Sequence, residues 1–111
     1  MSQFRSSVPT VQFIRYLSDV DRWRRAHYSK HGKISAFSVQ YEAFIEGAWR
    51  PVVRYDTAHG FAHRDLLHPD GTQEKTYIAS KNYGQALKAA EIDIKQNWQN
   101  YRKIFEQEMK P

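Results

Sequence analysis

The sequence predicts an α+β domain: a four-stranded antiparallel sheet with an N-terminal helix and a long C-terminal amphipathic helix packed on one face. Apolar and polar residues alternate along residues 37–45, which is typical of a half-buried strand. Apolar residues recur every three or four positions along residues 83–105, which is typical of an amphipathic helix. The length of 111 residues predicts one domain, over residues 11–111, and the polar composition of residues 1–10 predicts a flexible segment there.

The N-terminal helix is predicted from the residues around Trp23. Ser18 or Asp19 is a suitable N-cap for it. Gly32, directly after His31, is suited to the position just beyond a helix C-terminus. The residues expected inside the helix are Val20, Trp23, Arg24, His27 and Tyr28.

The first two strands are predicted in ISAFSVQYEAFIEG and AWRPVVRYD, which both alternate between apolar and polar residues. Pro51 favours an edge or an irregular position for the second of them. A connecting loop of two or three residues is compatible with the pattern, and a slip of one residue changes the face of every side chain. We expect the three-residue loop, which pairs Ile45 with Trp49, Tyr41 with Val53, and Val39 with Tyr55.

The turn between the third and fourth strands is predicted by HPDG, residues 68–71. Pro at its second position and Gly at its fourth suit a type I turn followed by a left-handed Gly. Counting back from this turn places Asp65 opposite Lys75 and His63 opposite Tyr77. His63 and Asp65 then share one face of the sheet.

The C-terminal helix carries an apolar stripe that lasts about six turns. Ser80 or Asn82 is a suitable N-cap, and Gln85 would complete a capping box with Asn82. We expect the stripe to cover the sheet, and its last part, from Trp98 to Phe105, to extend past a small sheet and contact a second protomer. The stripe consists of Tyr83, Leu87, Ala90, Ile94, Trp98, Tyr101 and Phe105.

Composition excludes several classes of protein. The chain has no cysteine, so a disulfide framework is excluded and any metal site must use histidine and carboxylate ligands. No stretch approaches the ~18 apolar residues of a membrane-spanning helix, and MSQFRSSVPT lacks the apolar region of a signal peptide. We therefore expect a cytoplasmic protein. The net charge is +5, and residues 1–31, with six Lys or Arg and two Asp, carry most of it. This favours an acidic partner, such as nucleic acid, an anionic membrane or an acidic protein, with a solvated basic face as the alternative.

The run RYDTAHGFAHRDLLHPDG, residues 54–71, holds three of the five histidines. One interpretation is an ordinary hairpin, in which Asp56 forms an Asx-turn to the amide of Ala58 or His59, and His68 and Asp70 are turn residues. A second is a metal site, but the chain lacks a helical His-x-x-x-His with a Glu between the histidines and has no cysteine, so no metal or cofactor is predicted.

The third interpretation is a catalytic site for RNA cleavage. Attack by the ribose 2′-hydroxyl needs a base, an acid and a cation that stabilises the phosphorane, and it needs no cofactor. Histidine titrates near neutral pH and can serve as base or acid. The sequence leaves the three interpretations open. The candidate catalytic residues are His63, His59, Arg54 and Asp65, and the candidate nucleic-acid-binding residues are Arg22, Arg24, Arg25, Arg64 and Lys75.

Two segments together, VVRYDTAHGFAHRDLLHPDG and ALKAAEIDIKQNWQNYRKIF, resemble a family of small uncharacterised prokaryotic proteins and, more distantly, the TumE-type toxins of bacterial toxin–antitoxin pairs. The resemblance covers residues 34–106. It implies a growth-inhibiting, RNA-directed nuclease that an antitoxin protein neutralises, with the basic N-terminal helix contacting RNA or the antitoxin. It depends on Arg54, Asp56, His59, His63, Trp98, Tyr101 and Phe105.

Two functions follow from the sequence. The first is a toxin-like, cofactor-independent RNA-binding protein or endoribonuclease, with RNA and an antitoxin as partners. The alternative is a non-catalytic interaction protein that forms a homo-oligomer through the C-terminal helix. Whether the protein is an enzyme is left open.

Overall fold

A computed structural model describes residues 8–111, and within this range the chain forms a six-stranded antiparallel sheet followed by one long helix. The strands lie in the sheet in the same order as in the chain, so each strand pairs with the next. The predicted flexible segment, residues 1–10, lies mostly outside the described residues. The elements are β1 (Val11–Ser18), β2 (Asp21–Lys30), β3 (Lys33–Ile45), β4 (Ala48–Asp56), a short 3-10 turn (Ala58–Gly60), β5 (His63–Leu67), β6 (Gln73–Tyr77) and α1 (Tyr83–Met109).

The predicted fold, with four strands and two helices, is wrong at its N-terminal end. Apart from Val20, which lies in the preceding turn, the residues predicted inside the helix belong to β2, which pairs with β1 on one side and with β3 on the other. Several side chains of β2 that face α1 are polar. The sequence of β2 therefore lacks the apolar–polar alternation that is typical of a strand. They have ionic partners on α1: Arg102 contacts Asp21 at 2.8 Å and Glu91 contacts Arg25 at 2.8 Å. These partners lie 81 and 66 positions away in the chain, so the local pattern does not reveal them.

Tight two-residue turns join β2 to β3 and β3 to β4. His31 and Gly32 both have positive φ, at 53° and 77°, and Glu46 and Gly47 have φ of 52° and 78°. Positive φ at both central residues is the geometry of a type I′ hairpin turn. Gly32 therefore closes a hairpin and does not follow a helix.

The pairing of β3 with β4 combines a confirmed and a wrong prediction. Tyr41 pairs with Val53 and Val39 with Tyr55, as expected. The loop is shorter than predicted, however, since Ile45 pairs with Ala48 and Phe44 with Trp49. A bulge between these regions reconciles the two registers, because Glu42 pairs with Pro51 and leaves Val52 as the additional residue of β4.

The β5–β6 hairpin has the predicted register. Asp65 lies opposite Lys75 and His63 lies opposite Tyr77. The His68 amide donates to the Thr72 carbonyl at 2.9 Å and closes the HPDG turn.

Helix α1 begins where its capping box predicts. The side chain of Asn82 accepts a hydrogen bond from the Gln85 amide at 2.9 Å. The Gln85 side chain accepts in turn from the Lys81 amide at 3.3 Å. The box therefore satisfies two amides at the start of the helix.

The apolar stripe of α1 packs on the sheet along its length. Leu87, Ala90, Ile94 and Phe105 are buried in the core. The Trp98 ring lies 6.3 Å from that of Tyr41 in β3. The last turns thus pack within the protomer, because the sheet is larger than the sequence predicts. Assembly through this helix stays a prediction. No helix within residues 8–111 has both the length and the apolar character that a membrane crossing requires.

Candidate functional site

The sheet has a helix side and an opposite face that no helix of the described chain covers. Directly paired residues of neighbouring strands project from the same face of a sheet. Two rows of such pairs cross the second face, which we call the helix-free face. The first row is Ala26, Ser38, Asp56, His63 and Tyr77, and the second is Arg24, Gln40, Arg54, Asp65 and Lys75.

His63 is the centre of a buried polar cluster on this face. Its Nε2 atom lies 3.0 Å from Oδ1 of Asp56 and 3.4 Å from Oδ2 of Asp65. Its Nδ1 atom lies 3.2 Å from the carbonyl oxygen of Phe61. His63 and Asp65 are 2% and 5% exposed. The register thus brings together two of the four candidate catalytic residues and adds Asp56.

Asp56 also shapes the loop that follows β4. Its Oδ1 atom accepts a hydrogen bond from the Ala58 amide at 3.0 Å, which confirms the predicted Asx-turn. Thr57 fixes the same loop to β3, since its hydroxyl accepts from the Phe37 amide at 3.1 Å. One carboxylate therefore serves both the loop and the histidine cluster.

His59 does not join this cluster. It sits at the middle of the short 3-10 turn with φ of 68° and ψ of 16°, and it is exposed. In the described part of the chain, no hydrogen bond or ion pair links it to His63. No contact among the described residues thus brings the two histidines together, and the catalytic role of these residues stays a prediction.

Arg54 lies in the second row, directly opposite Asp65, but it turns to a different partner. Its Nε atom donates to Oε1 of Gln40 at 2.7 Å. Lys75, on the other side of Asp65, is exposed at the edge strand. Within residues 8–111, neither cation forms an ion pair with Asp65 at 4.0 Å or less.

A second buried carboxylate organises the arginines of β2. Glu42 is 6% exposed and accepts from Arg22 at 2.7 Å, from Arg24 at 3.2 Å and from Gln40 at 2.5 Å. Burial alone would raise the pKa of Glu42, but the hydrogen bonds from Arg22 and Gln40 and the charge of Arg24 outweigh it and lower the pKa below its ordinary value. Glu42 therefore stays ionised and holds both guanidiniums on the helix-free face.

Trp49 extends the same face towards the β3–β4 hairpin. The Arg22 guanidinium lies over its ring at 3.9 Å. The rings of Tyr16 and Phe44 meet that of Trp49 edge-on, at 6.0 and 5.3 Å. Arginine over an indole is a favourable cation–π arrangement and orders this part of the surface.

Two candidate nucleic-acid-binding residues lie on the helix side of the sheet. Arg25 donates to Glu91 of α1 and to Nδ1 of His27 at 3.1 Å. Arg64 donates to the hydroxyl of Tyr101 of α1 at 3.1 Å. Both guanidiniums thus join the sheet to the helix. Arg22, Arg24 and Lys75 remain on the helix-free face.

The other histidine of the run belongs to the β5–β6 turn. His68 contacts Glu108 through Nδ1 at 3.0 Å and Glu74 through Nε2 at 2.7 Å, so its two carboxylates lie on opposite sides of the ring. Glu108 and then Glu74 raise the pKa of His68 above its ordinary value. Asp70 accepts from the Thr72 amide at 2.9 Å, as expected of a turn residue.

Sequence reasoning missed Glu42, Gln40 and Trp49 as parts of the surface. The sequence could have placed Glu42 and Gln40 on this surface, because both are polar residues at alternating positions of β3 and therefore share one face of the sheet. Their link to Arg22 and Arg24 was hidden because those arginines were predicted in a helix.

The fold and this face define a small α+β protein with one open, polar sheet surface. The chain belongs to the DUF7718 family, a domain of unknown function, and the match covers residues 8–111. Comparison with curated proteins and with solved structures found no match. The family match carries no link to TumE-type toxins, so that resemblance remains an expectation from the sequence.

Proposed function

We propose that the protein binds single-stranded RNA on the helix-free face of its sheet. The observation that carries the proposal is the combination, on this one face, of four cationic side chains with exposed aromatic rings. Phosphates attract cations, and unstacked bases pack on aromatic side chains and guanidinium planes. The cations are Arg22, Arg24, Arg54 and Lys75.

The aromatic side chains are exposed where bases would reach them. Tyr16 is 60% exposed at the β1 end of the face, beside the Arg22–Trp49 stack. Tyr77 is 66% exposed at the β6 end and packs edge-on against Phe61 at 5.5 Å. Stacking platforms near the two edges of a face that carries cations suit a single strand better than a duplex, whose bases are already stacked.

The cations differ in how free they are to contact phosphate. Glu42 partly neutralises Arg22 and Arg24, so these two mainly offer planar surfaces. Arg54 and Lys75 form no ion pair within the described residues, and they flank Asp65. We expect Arg54 and Lys75 to make the principal phosphate contacts.

RNA binding has more support than RNA cleavage. His63 is buried and contacts two carboxylates, and no hydrogen bond or ion pair among the described residues joins it to the exposed His59. The proposal includes a cytoplasmic location. A toxin role neutralised by an antitoxin is compatible with RNA binding, but its support is the sequence resemblance alone.

The alternative, a homo-oligomeric interaction protein, has less support. The aromatic residues expected at its interface, Trp98, Tyr101 and Phe105, are partly or fully buried against the sheet. The outward side of α1 carries mainly polar residues such as Lys88, Gln96 and Lys103.

The test is binding of a labelled single-stranded RNA of mixed sequence, measured by fluorescence anisotropy over a series of salt concentrations. Each phosphate contact contributes about 0.7 to the salt slope, which corresponds to about 5-fold in affinity at ~0.1 M salt. The double variant Arg54→Gln/Lys75→Gln should therefore bind about 25-fold more weakly, with a slope lower by about 1.4.

The matched control is Lys88→Gln/Lys103→Gln, which removes the same charge from the outward side of α1 and should bind as the unaltered protein does. Equal losses in the two double variants would mean that net charge, and not this face, determines binding. Absence of binding at low salt would contradict the proposal outright. The same RNA should stay intact; products that disappear with His63→Ala would favour the endoribonuclease instead.

A further inference from the structure

In the cluster of Asp56, His63 and Asp65, acceptor atoms face one another and no cationic side chain of the described residues lies among them. The carbonyl of Phe61 can only accept, so the hydrogen bond at 3.2 Å requires the proton on Nδ1 of His63. In the neutral ring, Nε2 then presents its lone pair to Asp56 and Asp65, at 3.0 and 3.4 Å. Three acceptors facing one another in a buried site repel unless a cation lies among them.

Asp65 provides a second, independent sign of a missing partner. Its side chain is more than nine-tenths buried, and its Oδ1 atom is buried with no hydrogen-bond partner in the described chain. A buried carboxylate oxygen without a partner carries the full cost of its lost hydration. Neither Arg54 nor Lys75, its neighbours in the row, supplies an ion pair.

The distances fit a shared metal ion. One ligand atom from each of the three residues can be chosen so that all lie within 4.8 Å of one another. Ligands bound at roughly 2.1 Å in a tetrahedral shell lie about 3.4 Å apart, and the two nitrogen–oxygen distances are close to this value. Histidines that bind metal through Nε2 commonly donate from Nδ1 to a backbone carbonyl, as His63 does to Phe61.

We propose that Asp56, His63 and Asp65 bind one divalent transition-metal cation, of the Mn²⁺ or Zn²⁺ type, through one imidazole nitrogen and two carboxylates. The nitrogen ligand favours these ions over Mg²⁺ and Ca²⁺, which take oxygen ligands. Three protein ligands leave coordination positions for solvent or for an anionic ligand oxygen. The site requires no bound RNA, so a test of metal binding is independent of the proposed function.

The test uses the untagged full chain after treatment with a chelator. Calorimetric titration with Zn²⁺ and with Mn²⁺ should give one ion per chain, and Mg²⁺ at the same concentration should bind far more weakly. His63→Gln and Asp65→Asn should each weaken Zn²⁺ binding by more than about 100-fold, which exceeds the usual loss on changing a residue that only hydrogen-bonds to a metal ligand.

The matched control is His68→Gln. His68 also contacts two carboxylates, but through opposite ring nitrogens, so a single ion cannot bridge them. This variant should bind Zn²⁺ as tightly as the unaltered protein. Circular dichroism checks the fold of each variant, and Asp56→Asn replaces Asp65→Asn if the latter does not fold.

Three results would overturn the proposal: no stoichiometric binding of either ion, undiminished binding in His63→Gln and in the folded aspartate variant, or loss of binding in His68→Gln. The first of these would mean that the cluster of Asp56, His63 and Asp65 holds no metal ion. Stoichiometric binding that depends on His63 and an aspartate, and not on His68, would establish the site.

Discussion

Tyr41 and Asp21 form a hydrogen bond in the centre of the helix side. The Tyr41 hydroxyl donates to Oδ1 of Asp21 at 2.5 Å, and both residues are almost fully buried. Asp21 also accepts from Arg102 at 2.8 Å and from Ser18 at 2.7 Å. Burial, and then the neighbouring carboxylate of Asp21, raise the pKa of Tyr41 well above its ordinary value, so the hydroxyl remains a donor.

We expect Tyr41→Phe to destabilise the protein by about 1.5–3 kcal/mol, the range for hydrogen bonds to charged groups. The ring is retained, so the loss reports the hydrogen bond and not the packing. Urea unfolding measures it. Tyr77→Phe, at a residue 66% exposed, should leave the free energy of unfolding unchanged. A similar effect in both variants would refute this role of the Tyr41–Asp21 contact.

His68 should make stability depend on pH. Its pKa is raised in the folded state by Glu108 and then by Glu74. A group whose pKa is raised on folding stabilises the protein below its unfolded pKa, and this contribution is lost as pH rises through the folded pKa. The difference in stability between the unaltered protein and His68→Gln should therefore be larger at about pH 6 than at about pH 8.

Thermal unfolding at both pH values measures this difference. Glu108→Gln removes the principal partner, so His68→Gln should have a smaller effect in that background. A difference that is constant with pH, or that grows towards alkaline pH, would show that the two carboxylates do not stabilise protonated His68.

Single-residue predictions from the sequence succeeded where the interaction is local. The Asx-turn of Asp56 and the capping box of Asn82 involve neighbours two to four residues away, and both are present. The His63–Asp65 pair followed from counting along one hairpin. The contacts of Glu42 with Arg22 and of Asp21 with Arg102 span 20 and 81 positions, and no local pattern encodes them.

Among the elements, the turn of the β3–β4 hairpin requires positive φ at both of its central residues. Gly47 has φ of 78°, and a Cβ atom added there would meet nothing within 4 Å. Its requirement for glycine is therefore conformational and not steric against neighbours. Glu46, beside it, adopts φ of 52°, which L-residues other than Asn and Asp adopt at a cost.

We expect opposite effects from two substitutions in this turn. Gly47→Ala should destabilise the protein by about 1–2 kcal/mol, the cost of a left-handed alanine. Glu46→Asn should stabilise it slightly, because Asn-Gly is the preferred type I′ sequence. Chemical denaturation of both variants measures the effects. A neutral Gly47→Ala or a destabilising Glu46→Asn would contradict this account of the turn.

The element that was predicted wrongly from the sequence is β2, which was expected to be a helix. Its positions facing α1 are Asp21, Trp23, Arg25 and His27, so an apolar–polar alternation is visible only at Trp23. The capping residues at Ser18 and Asp19 and the glycine at position 32 suit a helix and a pair of turns equally well. The β5–β6 hairpin was predictable because the sequence HPDG is compatible with few structures other than a turn. Helix α1 was predictable because a long apolar stripe with helical spacing has few alternatives.

On the scale of the whole molecule, the two faces of the sheet have different roles. The helix side holds the core and most of the links to α1, including Arg25–Glu91 and Arg102–Asp21. The helix-free face holds Glu42, Arg54 and the His63 cluster, which no helix of the described chain covers. The division follows from strand register, because each directly opposed pair projects from one face.

The three tryptophans offer a direct test of RNA binding on the helix-free face. Trp49 lies on that face under Arg22, whereas Trp23 and Trp98 lie on the helix side. We would titrate ¹⁵N-labelled protein with single-stranded RNA at low salt and follow the three indole N–H signals by NMR. The account predicts a saturable shift of the Trp49 signal with Trp23 and Trp98 nearly unchanged. Shifts confined to Trp23 or Trp98, or no shift in any of the three, would contradict it.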